Sequence, residues 1–434
     1  MLGFTGQWAT CWRLPLRTQP APPSAPAGEH LRHLFMFFPT QPQEPYRPMT
    51  TGYDVHSYGR MVEDTVRMSA YREALIRHVK PGSVVVELGA GPGVMAMLAC
   101  QLGAAKVYAI EPDPSIELLR RFAKQNGFAD RIVCIPKMST EVDLPELGDV
   151  LLSDLRGTIP LHQTHIPSIR DARLRLLKPG GKQLPQRDRL MVGLSRDDVQ
   201  YVALQRPWRH NDFGLKLDAG RGYGMNTWRS ANVPSMVSVG EPKQWAEIDY
   251  RTVESPDVAG SVELAGEAGE RINGLQVWFE AEVCDGIGYS TGPDQPEQVY
   301  GRLWLPLEEE FTFEPGETAR VELDMRLISG AYVSRWSTLV GRPGAPRPRV
   351  QMRQSTLGSL LMSPADLVRL SLSYAPTLGG RSEVARYVLE RFDGKNTVSN
   401  IARQAAAAFP AELRHEQDAI ELVRDLAARY SPNP

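Results

Sequence analysis

At 434 residues the chain is longer than one ordinary hydrophobic core organises, so two or three domains are expected. Hydrophobic residues make up 42% and charged residues 23%, and no apolar run approaches the roughly 18 to 20 residues that span a bilayer, so a soluble chain without a membrane partner is expected. The 49 basic and 51 acidic residues nearly cancel, which argues against a surface built to neutralise a nucleic-acid backbone, and no nucleic-acid partner is expected. Cys11, Cys100, Cys134 and Cys284 are scattered without a C-x-x-C pair. That spacing suits free thiols in a reducing cytoplasm better than a metal or redox centre, and no metal site is expected.

In chain order, residues 1–48 are proline-rich and lack a sustained period, and read as a disordered extension, or as sequence upstream of a native start near Met49. Their apolar stretch is short and interrupted by proline, unlike a secretory signal. From Tyr53 to about Gln186, within a first domain of residues 49–186, short apolar runs alternate with segments of helical spacing. Val84–Glu87, Val107–Ile110, Ile132–Ile135 and Val150–Leu152 are the strand candidates. Strand and helix in strict succession predict a Rossmann-like α/β fold with a parallel sheet. The turn Lys178-Pro179-Gly180-Gly181 is expected to stop the last crossover helix and start another strand.

Residues 187–340 alternate polar and apolar positions, as in Thr318 to Met325, with turns such as Glu314-Pro315-Gly316-Glu317, and predict an antiparallel β-barrel or sandwich. Residues 341–349, rich in proline and glycine, read as an interdomain linker. Residues 350–434 are expected to form a small helical domain. Ser363-Pro364-Ala365-Asp366 carries a capping signature with proline at the first helical position, and Ala419, Leu422, Val423, Leu426 and Tyr430 recur at helical spacing.

The densest chemical signal lies at Glu87-Leu88-Gly89-Ala90-Gly91-Pro92-Gly93, between a strand and an apolar helix. Gly89, Gly91 and Gly93 permit a tight turn and close ligand approach, and the helix N-terminus adds partial positive charge. Glu111 ends the second strand, eighteen residues after Gly93, where a carboxylate can accept from both ribose hydroxyls of a nucleoside. A dinucleotide dehydrogenase is the rival reading, but its G-x-G-x-x-G pattern fits poorly, since Val94, Met95 and Ala96 follow Gly93.

Met61-Val62-Glu63-Asp64-Thr65-Val66-Arg67, with Tyr71-Arg72 after it, resembles the helix before the cofactor strand of protein arginine methyltransferases. The likeness continues through the glycine turn, Glu111, Thr140 to Pro145 and Asp149 to Asp154. It implies S-adenosylmethionine as cofactor, with Met61 near its methionine part, Arg67 on its carboxylate, Glu87 and the glycines at the turn, Glu111 on the ribose, and Thr140 and Glu141 along the adenine. The competing reading of Arg67 is a surface ion pair, and for Glu141 the two readings stay open.

The same resemblance implies that the loop after the fourth strand, Ser153 to Gln163, grips the acceptor. Asp154 stands where the family has the first of two glutamates, and Gln163 stands at the second. Gln298-Val299-Tyr300 aligns with a family loop that carries a histidine, which is missing here. His162 and His165 are candidate general bases, with a structural reading, capping a helix or bonding a backbone carbonyl, favoured for His165.

Ala385 to Gly394, followed by Thr397 to Ala402, resembles small PqqD-like domains that hold precursor peptides, with a purely structural helical cap as the alternative. The leading reading is a methyltransferase acting on a side-chain nitrogen of a protein or peptide substrate, arginine first, working as a homodimer through an arm of the β domain. The alternatives are a small-metabolite or non-arginine peptide acceptor, and a binding protein that has lost turnover.

Overall fold

The computed structural model describes residues 53–231, 235–369 and 373–431; the expectations for residues 1–48 lie outside them. Two helices open the described chain, α1 (Val55–Glu63) and α2 (Thr65–His78). Asp64 ends the first and caps the second, accepting from Arg67 N at 3.1 Å, the satisfaction that a free N-terminal turn requires.

Next come β1 (Val84–Leu88), α3 (Val94–Gln101), β2 (Lys106–Ile110), α4 (Ile116–Gln125), β3 (Ile132–Ile135), β4 (Gly148–Ser153), α5 (His165–Arg175) and β5 (Leu177–Leu184). All four expected strands are present. The five strands pair in parallel in the order β3-β2-β1-β4-β5. Every residue of β1 is buried, as a central strand covered on both faces must be. The strand order reverses between β1 and β4, and in such sheets the crevice beyond the carboxyl ends at that point is where ligands bind. One local expectation is corrected. Lys178 to Gly181 does not separate α5 from a strand but lies within β5 as an irregularity, the register slipping between Gly148↔Leu177 and Val150↔Lys182.

Only two residues separate β5 from β6 (Arg187–Arg196), the first strand of the antiparallel part. It is followed by α6 (Asp198–Arg209), α7 (Ala219–Met225), β7 (Arg229–Ala231), β8 (Val237–Asp249), β9 (Val258–Ala265), β10 (Arg271–Cys284), β11 (Ile287–Ser290), β12 (Arg302–Thr312), β13 (Thr318–Ile328), β14 (Ala331–Gly341) and β15 (Val350–Ser355). One sheet runs β7-β12-β10-β6-β8 with β11 on β10, and the other runs β15-β14-β13-β9. Among the described residues these are two open sheets, and the expected closed barrel is not formed. The helices α6 and α7, inserted between β6 and β7, were not announced by the alternating pattern.

The reading of residues 341–349 as an interdomain linker is corrected too. They join β14 to β15, which pair antiparallel with Val340 opposite Val350, and Arg349 is anchored to Glu317 at 2.6 Å. Proline and glycine serve the turn of a hairpin as readily as a linker. The buried apolar residues of the parallel sheet and of the β sheets form one continuous core, from Ala70 to Met352. A separate small core, including Val384, Val388, Ile401, Ala405 and Val423, joins α9 (Gly380–Leu389), α10 (Val398–Ala408) and α11 (Glu416–Tyr430). Before them, α8 (Pro364–Arg369) begins at the expected proline, with Ser363 and Asp366 capping each other. Among the described residues no helix is long and apolar enough to cross a membrane, and no group of three or more histidine, cysteine or acidic residues is arranged to hold a metal ion.

Candidate functional site

The glycine turn is built as its sequence requires. Gly89, Gly91 and Gly93 have φ of 64°, 51° and 75°, a region that residues with a side chain adopt only at a cost. Space forbids a side chain as well. A Cβ on Gly93 would stand 1.9 Å from Leu119 Cδ1, one on Gly89 2.2 Å from Leu155 Cδ2, and one on Gly91 3.1 Å from the Tyr58 ring. Tyr58 belongs to α1, and its hydroxyl donates to Ser115 Oγ at 3.0 Å, so α1 lies over the turn.

At the end of β2, Glu111 is buried and its two oxygens accept from Gly91 N at 2.9 Å and Asp113 N at 2.8 Å. Each oxygen retains a further lone pair, so the carboxylate is fixed in place and still able to accept from ribose hydroxyls. Burial, and next the nearby Glu111 charge, push the Glu87 carboxyl up to about 8. Glu87 Oε2 is buried with no hydrogen-bond partner among the described residues. An unsatisfied buried oxygen, a turn that excludes side chains and a pinned acid beside it fit a nucleoside bearing a cationic amino group. Thr140 and Glu141 are exposed in a 3₁₀ turn, Ser139–Glu141, beyond β3. Cavities of about 280 Å³ beside Trp278 and about 330 Å³ beside Leu177 contain none of the expected site residues. The glycine turn and the fixed acid lie outside both.

Arg67 is not the surface ion pair that its sequence allowed. It is buried, donates from Nη1 to Asp154 Oδ2 at 2.7 Å and from Nη2 to the Met61 carbonyl, and its Nε, 3.8 Å from Asp64 Oδ2, makes no hydrogen bond among the described residues. Asp154 continues a ladder of alternating charge. Its Oδ1 accepts from Arg156 Nη1 at 3.0 Å and from the Tyr300 hydroxyl, while Arg156 makes a two-pronged pair with Asp188, 2.7 Å on each side. Tyr71 accepts from Arg156 and donates to the Ser153 carbonyl. The ladder joins α2, the loop after β4 and β6. Although burial opposes ionisation, the neighbouring arginines hold the Asp154 carboxyl below the usual range. As a result Asp154, expected to grip the acceptor, instead spends both oxygens within the protein.

The rest of the acceptor loop is sparse in charge. His162 is half-buried, and a Cβ on Gly157 would stand 2.7 Å from its Nδ1, so the glycine makes room for the ring; burial lowers its pKa. Gln163 is exposed with φ of 41°. His165 is wholly buried, which drives its pKa down to about 3. Among the described residues it bonds neither a cap nor a backbone carbonyl: its Nε2 lies 2.8 Å from the Tyr250 hydroxyl. Tyr250 gives its one proton to Asp188 at 2.5 Å, so His165 Nε2 must be the donor. The loop Gln298 to Tyr300 does reach the acceptor loop, through Tyr300 on Asp154, and Val299 N donates to Asp64 at 3.2 Å.

Sequence reasoning passed over Arg156, Asp188 and Tyr250. The signal was available at Asp188, which shares the inward face of β6 with Leu190, Val192 and Leu194, all at most 1% exposed. A carboxylate on such a face demands a buried cation.

The model of the ribosomal protein L11 methyltransferase family (PrmA) matches residues 64–155, from α2 to the start of the acceptor loop. An arginine N(omega)-methyltransferase of Streptomyces achromogenes subsp. streptozoticus is 31% identical over 274 residues, 61% of this chain and 74% of that protein. Protein arginine N-methyltransferase 6 of Danio rerio is 31% identical over 280 residues, 61% of this chain and 80% of that protein. Among solved structures, the Trypanosoma brucei PRMT1 enzyme-prozyme complex with AdoHcy superposes with a TM-score of 0.62 at 23% identity, covering 69% of this chain and 97% of that one. Protein arginine methyltransferase 10 of Arabidopsis thaliana gives 0.61 at 21%, covering 70% and 98%; these two likenesses speak for the fold. Identity sustained over most of the length of both relatives, together with a glycine turn and acid suited to a nucleoside, makes the chain a member of the arginine N-methyltransferase family, an enzyme that takes its methyl group from S-adenosylmethionine.

Proposed function

We propose that the protein transfers this methyl group to a side-chain nitrogen of a protein or peptide. The observation that carries the reading is the pairing of a glycine turn, φ positive at all three glycines, with a Glu111 carboxylate pinned by Gly91 N and Asp113 N, at the carboxyl ends of β1 and β2. When bound, the sulfonium supplies an activated methyl carbon. In this reading Glu111 holds the ribose, Glu87 accepts from the amino group, Arg67 meets the carboxylate beside Met61, and Thr140 and Glu141 border the adenine. The residues that flank the turn, Tyr58 and Leu155, exclude water from the reacting atoms. His162, neutral because of its burial, is available to take a proton at the acceptor loop, and Asp154 orients Arg67 and Tyr300.

Kinship with arginine methyltransferases makes arginine the first candidate acceptor. The helices α9 to α11, which have an apolar core of their own, are proposed to hold the peptide. The free thiols Cys100, Cys134 and Cys284 suit a reducing, cytoplasmic setting. Incubating the protein with isotopically labelled S-adenosylmethionine and cell extract should place label on peptide or protein nitrogen by mass spectrometry. Label confined to small molecules contradicts this reading.

A homodimer is the proposed assembly. The insertion of α6 and α7 exposes Val199, Val202, Phe213, Leu215 and Tyr223, with Phe213 82% exposed, apolar side chains that a second copy would cover. Light scattering should give twice the chain mass for the wild type and a single chain mass for Val202→Glu/Phe213→Asp. A monomeric wild type, or a variant that stays dimeric, rules this arm out as the interface.

A further inference from the structure

Trp278 and Phe279 are successive residues of β10, so their side chains take opposite faces of the sheet. Phe279 packs on the Tyr300 ring, centroids 5.4 Å apart, and the Tyr300 hydroxyl reaches Asp154. Trp278 borders the cavity of about 280 Å³ on the other face. The cavity forms where β8 parts from β6. Val192 pairs with Lys243 and Leu194 with Val239, so Gly240, Glu241 and Pro242 bulge out opposite Gly193.

Two features of this cavity point to a ligand. Trp278 is 3% exposed, yet its Nε1 has no acceptor among the described residues. That donor faces Gly292 on the cavity wall, where a Cβ would stand only 3.0 Å away, so glycine leaves it uncovered. A buried N–H without an acceptor is costly, and a peptide carbonyl would satisfy it. The second feature is charge. Glu241, Glu280 and Asp294 line the cavity, and none of the three makes an ion pair or a side-chain hydrogen bond among the described residues.

The bases around them do not cancel these acids. Arg189 stands opposite Glu280 but lies nearer Glu282 and Glu247, at 3.6 and 3.8 Å, and Arg187 pairs with the same two glutamates. Arg302 donates to the Gly292 carbonyl at 3.2 Å, with Asp294 and Glu297 as its nearest charges. Lys243 is exposed beside the bulge. Once the Arg187 and Arg189 pairs are set aside, four acids face two bases, Arg302 and Lys243, and the cavity keeps a negative surplus. Among the described residues no acids are gathered closely enough to hold a metal ion. Carboxylates spread around an indole suit a longer organic cation, which gains from the ring as well as from the charge.

We propose that this cavity is a second subsite that takes a lysine or arginine side chain flanking the methylated residue, with a carbonyl of the same peptide accepting from Trp278 Nε1. The inference rests on the peptide-methylation reading and adds a requirement on the substrate's sequence. One loop serves both sites: Asp294 lines the cavity, and Tyr300, six positions on, reaches Asp154. The chain between them spans at most about 20 Å, a distance that an extended peptide of about six residues covers.

The test uses the full chain, labelled S-adenosylmethionine and peptides with one acceptor arginine in a glycine and serine background. Lysine or glutamine is placed at successive positions up to about eight residues away on either side. At the favoured spacing lysine should lower KM by about tenfold relative to glutamine, the scale of one partly buried charged contact, with kcat the same. In Glu241→Gln/Glu280→Gln that advantage should shrink to about twofold or less. In Glu241→Lys/Glu280→Lys a flanking glutamate should be preferred to lysine, an inversion that a merely structural role would not produce. Retained binding of S-adenosylhomocysteine reports that each variant is folded, and the exposed change Glu241→Gln alone replaces a double variant that is not. Equal KM for lysine and glutamine at every spacing overturns the subsite with no variant needed. A lysine preference that survives the substitutions overturns it too, because recognition then lies elsewhere. Transfer to none of the peptides, with S-adenosylhomocysteine still bound, defeats the peptide reading itself and this inference with it.

Discussion

Asp188→Ala is expected to destabilise the protein by about 3–5 kcal/mol, the usual result of removing one partner from a buried ion pair. The reason is specific to its neighbours. Arg156 is wholly buried and makes two 2.7 Å bonds to Asp188, and Tyr250 donates its proton to the same carboxylate. Alanine leaves Nε and Nη2 of a desolvated guanidinium, and the Tyr250 hydroxyl, without the acceptor they now have. A loss of that size is a large fraction of the roughly 5–15 kcal/mol that stabilises an ordinary fold. Because Asp188 begins the β sheets and Arg156 follows β4, the loss should appear in the main unfolding transition by urea denaturation. Asp188→Asn retains the shape and one acceptor, and should lose less. An alanine variant within about 1 kcal/mol of wild type would mean that the ladder is not what joins the two parts.

The same ladder marks where the sequence stopped being legible. The strands β1 to β4 could be read because each is a short, largely apolar run between turn signals. Gly89, Gly91, Gly93 and Glu111 could be read because backbone geometry leaves few alternatives to glycine there, and because the carboxyl ends of neighbouring parallel strands converge. Partners distant in sequence were another matter. Arg156 and Asp188 are 32 residues apart, and Asp154 and Tyr300 are 146 apart; no local period connects them. Asp154 therefore looked like a free acid poised for a substrate when both of its oxygens are engaged within the protein.

The misread of residues 341–349 has a related cause. Gly341 to Pro348 has the composition of any chain that must turn, and only the pairing of Val340 with Val350 distinguishes a hairpin from a linker. The insertion of α6 and α7 was hidden differently. Pro207 lies inside α6 and glycine recurs through α7, so local propensity argued against helices that packing of Tyr201, Leu204 and Met225 against Trp304 sustains.

The central claim is that the glycine turn and Glu111 hold an adenosyl group, and its most direct test is calorimetric titration with S-adenosylhomocysteine. Glu111 would contribute two charge-assisted hydrogen bonds to the ribose, each worth about 1.5–3 kcal/mol. It also fixes Gly91 N and Asp113 N, so Glu111→Ala removes the ribose acceptor and loosens the turn together. The predicted result is one site per chain in the wild type and affinity weakened by about a hundredfold or more in Glu111→Ala. A wild type that gives no binding heat at any temperature tried, or a Glu111→Ala protein that binds as tightly as wild type, would contradict the account.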